Sequence, residues 1–145
     1  MITTTLNKIR KHSPCAGSWE VLLKGLGKSK ADDEDLPILR ILEICGLDDA
    51  LWALRATDYE KKICRLFAVF CARSVIHKTN DWRSVQAVNV AERYAHGMAT
   101  EEQLSAAWDA ACDAACAASC DAAWAAARSS VRIEQEKYFR ALVGA

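Results

Sequence analysis

Proline is nearly missing from this chain: Pro14 and Pro37 are the only two in 145 residues, and glycine is sparse at six. A chain so poor in both lacks the closely spaced turn signals of an all-β sandwich or barrel. No stretch alternates apolar and polar residues as a half-buried strand does. No run approaches the ~20 consecutive apolar residues that span a bilayer. The opening MITTTLNKIRKHSPC is basic but carries no apolar stretch of signal-peptide length. Net charge is zero, which argues against a globally basic nucleic-acid binder and a globally acidic mimic of DNA. These absences lead us to expect a cytoplasmic protein that neither enters a membrane nor binds nucleic acid directly.

Catalytic patterns are absent too. His12, His77 and His96 are scattered, with no H-x-x-x-H spacing and no adjacent carboxylate pair. Ser13, Ser18 and Ser74 sit in no nucleophile-elbow context, and GLG at 25–27 is too short for a phosphate loop. KSKADDEDL (28–36) clusters Asp32, Asp33, Glu34 and Asp35 but lacks the spaced ligands and glycine of a calcium loop. We therefore expect no enzyme activity and no cofactor.

What is present is helical. Half the residues are apolar, and 145 residues suffice for one domain with its own core. Helices are predicted over about 4–11, 14–26, 37–45, 49–56, 58–77 and 81–96, followed by a long Ala-rich helix from 100. The best boundary signals are Pro37 before and Gly46 after one helix, Asp48 as a cap, and Gly97 as a stop. Two capping-box patterns, Thr57 to Glu60 and Thr100 to Gln103, mark further starts. The predicted fold is an all-α single-domain bundle of about six or seven helices, with short helices over 1–56 and long ones over 57–145. The Ala-rich helix should pack on helices 58–77 and 81–96. Trp52, Phe67 and Phe70 lie on apolar faces and are expected in the core.

Seven cysteines are many for this length, and the count is odd. A secreted disulfide framework calls for an even number in a loop-rich chain. Cys64 and Cys71 instead sit in an apolar helical pattern, and Cys112, Cys116 and Cys120 share the run AAWDAACDAACAASCDAAWAAAR (106–128) with Trp108 and Trp124. Two thiolates four residues apart can share an ion, but a structural zinc site wants four ligands, and no second pair is visible. A four-residue step also drifts by about 40° per rung, so the ladder winds around its helix. Close packing through small side chains is the preferred reading, with thiolate metal binding as the alternative.

Three stretches, PCAGSWEVLLKGLGKSKADDEDLPILRILEICGLDDALWALRA (14–56), RLFAVFCARSVIH (65–77) and VAERYAHGMATEEQLSAAWDAA (90–111), together resemble a family of Ala/Trp-repeat helical proteins encoded by bacteriophages and prophages. The last two are also similar to immunity proteins of polymorphic-toxin loci. The resemblance covers most of the chain and supplies no catalytic residue. It implies an accessory protein that binds and inhibits a host protein or protein–nucleic-acid complex in the host cytoplasm, as a counter-defence inhibitor of the anti-CRISPR type. The alternative it implies is an immunity protein that neutralises a toxin. Homo-oligomerisation is compatible with either.

A binder without chemistry needs an exposed patch, and binding energy concentrates in aromatic and arginine anchors. Asp32, Asp33, Glu34 and Asp35 are the densest acidic cluster. Trp82, beside Asp81 and Arg83, and Trp124, displaced around its helix from Trp108, are the tryptophans least tied to an apolar face. These six residues are the candidate partner-binding set.

Overall fold

The computed structural model describes residues 1–78, 81–115 and 124–144. Among them the fold is all-α: eight α-helices, two 3-10 turns, and one antiparallel pair of two-residue strands. No described helix is long and apolar enough to cross a membrane. The elements are β1 (Thr3–Thr4), α1 (Leu6–Lys11), α2 (Ala16–Gly25), β2 (Leu36–Pro37), α3 (Ile38–Cys45) and α4 (Leu47–Ala53). A 3-10 turn (Leu54–Ala56) leads to α5 (Glu60–Val75), and a second (Ile76–Lys78) ends it. Next come α6 (Trp82–Ala95), α7 (Glu101–Ala115) and α8 (Trp124–Gly144). The chain forms two compact units: Met1–Cys64 with Phe139–Ala145, and Arg65–Tyr138.

The first unit is closed around aliphatic side chains. Leu6 and Ile9 of α1, Leu22 of α2, Ile38, Ile41 and Leu42 of α3, and Leu47 and Ala50 of α4 are all buried, as are Phe139 and Val143 of α8. β1 and β2 pair Thr3 with Pro37 and Thr4 with Leu36, and Ile2 donates its N–H to Val143 O at 2.8 Å. This small pairing is a difference from the strand-free expectation. Thr4, expected in the first helix, lies in the strand, where its buried hydroxyl donates to Ala56 O at 2.7 Å. A buried hydroxyl needs such a partner, and the strand conformation provides it. The helix begins later, with Thr5 Oγ1 accepting from Lys8 N at 3.2 Å.

Gly46 joins α3 to α4 directly. It closes α3 and opens α4 at a φ of 87°, a region that residues with a Cβ avoid. Asp48, expected as the cap, instead lies in the first turn of α4, where its charge suits the helix dipole.

In the second unit, local capping fixes the helix starts. Asp81 caps α6 by accepting from Arg83 N at 2.9 Å. At α7 the capping box is reciprocal: Thr100 N donates to Gln103 Oε1 at 3.0 Å, and Gln103 N donates to Thr100 Oγ1 at 3.3 Å. At the start of α5, in the first unit, the expected Thr57–Glu60 box is replaced by a turn: Thr57 Oγ1 accepts from Tyr59 N, and both its hydroxyl and its N–H donate to Leu54 O. Gly97 closes α6 with its N–H on Tyr94 O, and Met98 N donates to Arg93 O at 2.7 Å. α7 packs against α6 across this turn. The Ala-rich stretch is described as α7 and α8. Residues 116–123 between them, with Cys116 and Cys120, lie outside the described residues, as do the side chains of Cys112 and Trp124.

Candidate interaction surface

The second unit is built from small residues where the first uses large ones. α5 contributes Ala68 and Ala72, α6 contributes Ala87, Val88 and Ala91, and α7 contributes Leu104 and Trp108 to the walls of an open apolar groove of about 430 Å³. Alanine permits helices to approach but has no bulk to fill the space between them. Arg65 and Glu101 also line the groove. The Arg65 guanidinium lies 4.4 Å from the Tyr94 ring centre, and the Tyr94 hydroxyl donates to the Glu101 carboxylate. That bond, with Glu101's charge beside it, pushes the Tyr94 phenol above its ordinary range. Arg73 of α5 similarly donates to Asn89 and Glu92 of α6.

Large apolar side chains stand out from this unit. Trp82 is 70% exposed and Trp108 67% exposed, with Val85, Met98 and Ile133 also open to solvent. Trp82 therefore has the accessibility an anchor needs. Phe67 and Phe70, expected in the core, are half-buried: Ile63, Leu66 and Val69 occupy the buried positions of α5 instead. Phe70 stacks on Tyr138, with ring centres 4.3 Å apart and 8° between planes. Trp52, in the first unit, is half-buried as well.

The acidic loop is partly neutralised from within. Lys28 Nζ lies 2.7 Å from Asp32 Oδ2 and 2.6 Å from Glu34 Oε2. Asp32 Oδ1 accepts from Glu34 N, and Asp32 O accepts from Asn7 N at 3.0 Å. The Lys28 hydrogen bond holds the Asp32 carboxyl below the ordinary carboxylate range, and the same contacts raise Lys28. Asp33 lies beside Asn7, Arg10 and Lys11 of α1, so basic side chains meet the loop on two sides. Asp33, Glu34 and Asp35 remain exposed. Trp82 belongs to the second unit, and Trp124 opens α8 with its side chain outside the described residues.

The cysteines with described side chains are free. Burial raises the thiol pKa of Cys45, Cys64 and Cys71, and Cys71 Sγ accepts a hydrogen bond from Gln135 at 3.2 Å. Cys15 is exposed, and its hydrogen bond with Ser18 lowers its pKa. Among the described residues, no group of three His, Cys, Asp or Glu is placed to hold a metal ion.

A hollow that the sequence did not announce lies in the first unit. Trp19 of α2 and Trp52 of α4 line it together with Cys15, Ser18, Cys45 and Asp49, and Ile9, Leu22 and Ile41 lie deeper. Its volume is about 170 Å³. Trp52 is expected in the core by spacing, and only the tertiary fold brings its half-buried ring and that of Trp19 to one cavity. No local signal pairs them, since 33 positions separate Trp19 from Trp52 in the chain.

Compared with family models, with characterised proteins and with solved structures, the chain shows no match.

Proposed function

We propose that this chain is a non-enzymatic binding protein that inhibits a host protein through the α5–α6–α7 face. The observation that carries the reading is the combination of an apolar groove with exposed Trp82 and Trp108 in one unit. Exposed apolar surface such as the groove with Trp108 on its wall marks interaction sites, and tryptophans are over-represented among the residues that dominate binding energy. The groove walls are mostly aliphatic, and the charges at Arg65 and Glu101 are both engaged through Tyr94. Such a surface suits recognition of an apolar protein face.

The more specific form, a counter-defence inhibitor, rests on the resemblance of residues 14–56, 65–77 and 90–111 to phage-encoded helical proteins. The acidic loop is a secondary contact region in this reading, because Lys28 already takes up part of its charge. The test is expression of the chain in bacteria carrying individual nuclease-based defence systems, with phage plating efficiency as readout. The wild-type chain restores plating against one system, and Ala91→Arg, which puts a charged side chain into the groove, loses that effect while keeping its helical circular dichroism. Equal activity of a folded Ala91→Arg protein overturns the groove assignment. Protection against a co-expressed toxin, with no defence system silenced, replaces the reading with toxin immunity.

A further inference from the structure

The hollow between α2 and α4 has a chemistry unlike that of the groove. Two indole rings, Trp19 and Trp52, line a mainly aliphatic cavity that also holds one carboxylate, Asp49. Asp49 is half-buried, and among the described residues it makes no hydrogen bond or ion pair. No lysine, arginine or histidine lines the cavity. Its field nevertheless reaches both thiols. At Cys45 it adds to burial in raising the pKa, and at Cys15 it opposes the lowering by the Ser18 hydrogen bond. A half-buried carboxylate without a counter-ion, set among aromatic rings, is an electrostatic arrangement that a cation completes.

We propose that this cavity binds a methylated ammonium group, with Trp19 and Trp52 as its aromatic walls and Asp49 as its counter-charge. Size fits: a cavity of ~150 Å³ takes a benzene-sized molecule, and this one offers about 170 Å³. The choice of a methylated over a primary ammonium follows from the acceptors present. A primary ammonium directs three N–H donors to three sides, whereas Asp49 is the one charged acceptor lining the cavity, and the Ser18 hydroxyl already accepts from the Cys15 thiol at 3.1 Å. A quaternary group needs no acceptors, only ring faces, apolar contact and negative charge. Trp52 already serves a cation in this way, for the Arg55 guanidinium lies 4.6 Å from its ring centre. Arg55 is not among the residues that line the cavity.

The competing explanation is that Asp49 merely complements the dipole of α4, as Asp48 does. Titration of the ¹⁵N-labelled protein with tetramethylammonium, following the indole N–H signals assigned by Trp→Phe variants, separates the two. We expect saturable shifts confined to Trp19 and Trp52, and affinity about tenfold weaker in Asp49→Asn. The neutral choline isostere 3,3-dimethylbutan-1-ol should bind at least about tenfold more weakly than choline to the wild-type protein, a comparison that does not depend on any variant folding. Free and peptide-borne sources are told apart by comparing choline with a trimethyl-lysine peptide, and tighter binding of either names the source. Absence of saturable shifts, or equal binding of the neutral isostere, overturns the proposal. Neither result bears on the groove of the second unit, which is tested by a different substitution and a different readout.

Discussion

Both units are built mainly from helices, and they are unlike in how they are filled. In the first, Ile38, Leu54, Phe139 and Val143 are completely buried. In the second, α6 has no buried residue at all, and only Leu66 and Val69 of α5 fall below the surface among the described residues. The difference lies in side-chain volume at the interhelical positions. Isoleucine, leucine and phenylalanine fill the space they enclose, and Ala68, Ala72, Ala87 and Ala91 leave a groove. The buried core of the first unit and the open groove of the second thus lie in different regions of the chain. One unit spends its apolar surface on itself, and the other keeps part of it available.

That contrast is sharpest in what mutation should do to each unit. Phe139→Ala removes a fully buried ring and should cost about 3–5 kcal/mol in urea denaturation. Trp108→Ala should stay within about 0.5 kcal/mol, as an exposed substitution does. A stability loss at Trp108 comparable to that at Phe139 would erase the distinction. Enlarging alanines should act with opposite signs. Ala50→Leu forces bulk into a site with no free surface and should destabilise by about 1–3 kcal/mol. Ala91→Leu fills part of the groove and should stabilise by about 0.5–2 kcal/mol. The same change should also weaken partner binding, which plating efficiency would read.

Smaller effects sharpen the comparison locally. Thr100→Ala removes one half of the reciprocal cap on α7 and should cost about 1 kcal/mol. Hydrogen exchange should show faster opening at the start of α7, with little change in the strands and α3. The smallest effect is electrostatic. Asp32 has a lowered folded-state pKa because of Lys28, so its contribution is present above the unfolded pKa. It is lost as pH falls through the folded value. The pair is solvent-exposed, so salt should weaken it further. NMR titration should find Asp32 below the ordinary carboxylate range in the wild type and back within it in Lys28→Met.

The helix segments could be read from the sequence because their boundaries are local chemistry. Asp81, the Thr100–Gln103 box and Gly97 each act within one turn of where they stand. Gly46 was recognised as a stop but not as a start, since nothing local says that α4 follows without a linker. The strand pair was invisible because it joins Thr3–Thr4 to Leu36–Pro37, each too short to show alternation. Which apolar face of α5 is buried also escaped the pattern. Ile63, Leu66, Phe67 and Phe70 all recur at helical spacing, and only the tertiary neighbours decide that the phenylalanines remain half-exposed. For the candidate surface, the exposure of Trp82 is legible from its place at a helix start. The groove was not, because alanines at 68, 72, 87 and 91 read as filler until three helices surround them. The neutralising role of Lys28 likewise depends on how the loop curls back.

The hydrogen bond from Ile2 to Val143, and the burial of Phe139 beside a core drawn from residues 2–63, have a consequence for synthesis. In chain order, the whole of residues 65–138 stands between the first unit and the pieces that complete it. A ribosome delivers those pieces only after it has released the second unit. The aliphatic surfaces of α1, α3 and α4 must therefore wait, unsealed, while the more open half is already free to form. Such an interval exposes apolar surface to aggregation, and in this protein its length is set by the translation time of the inserted segment.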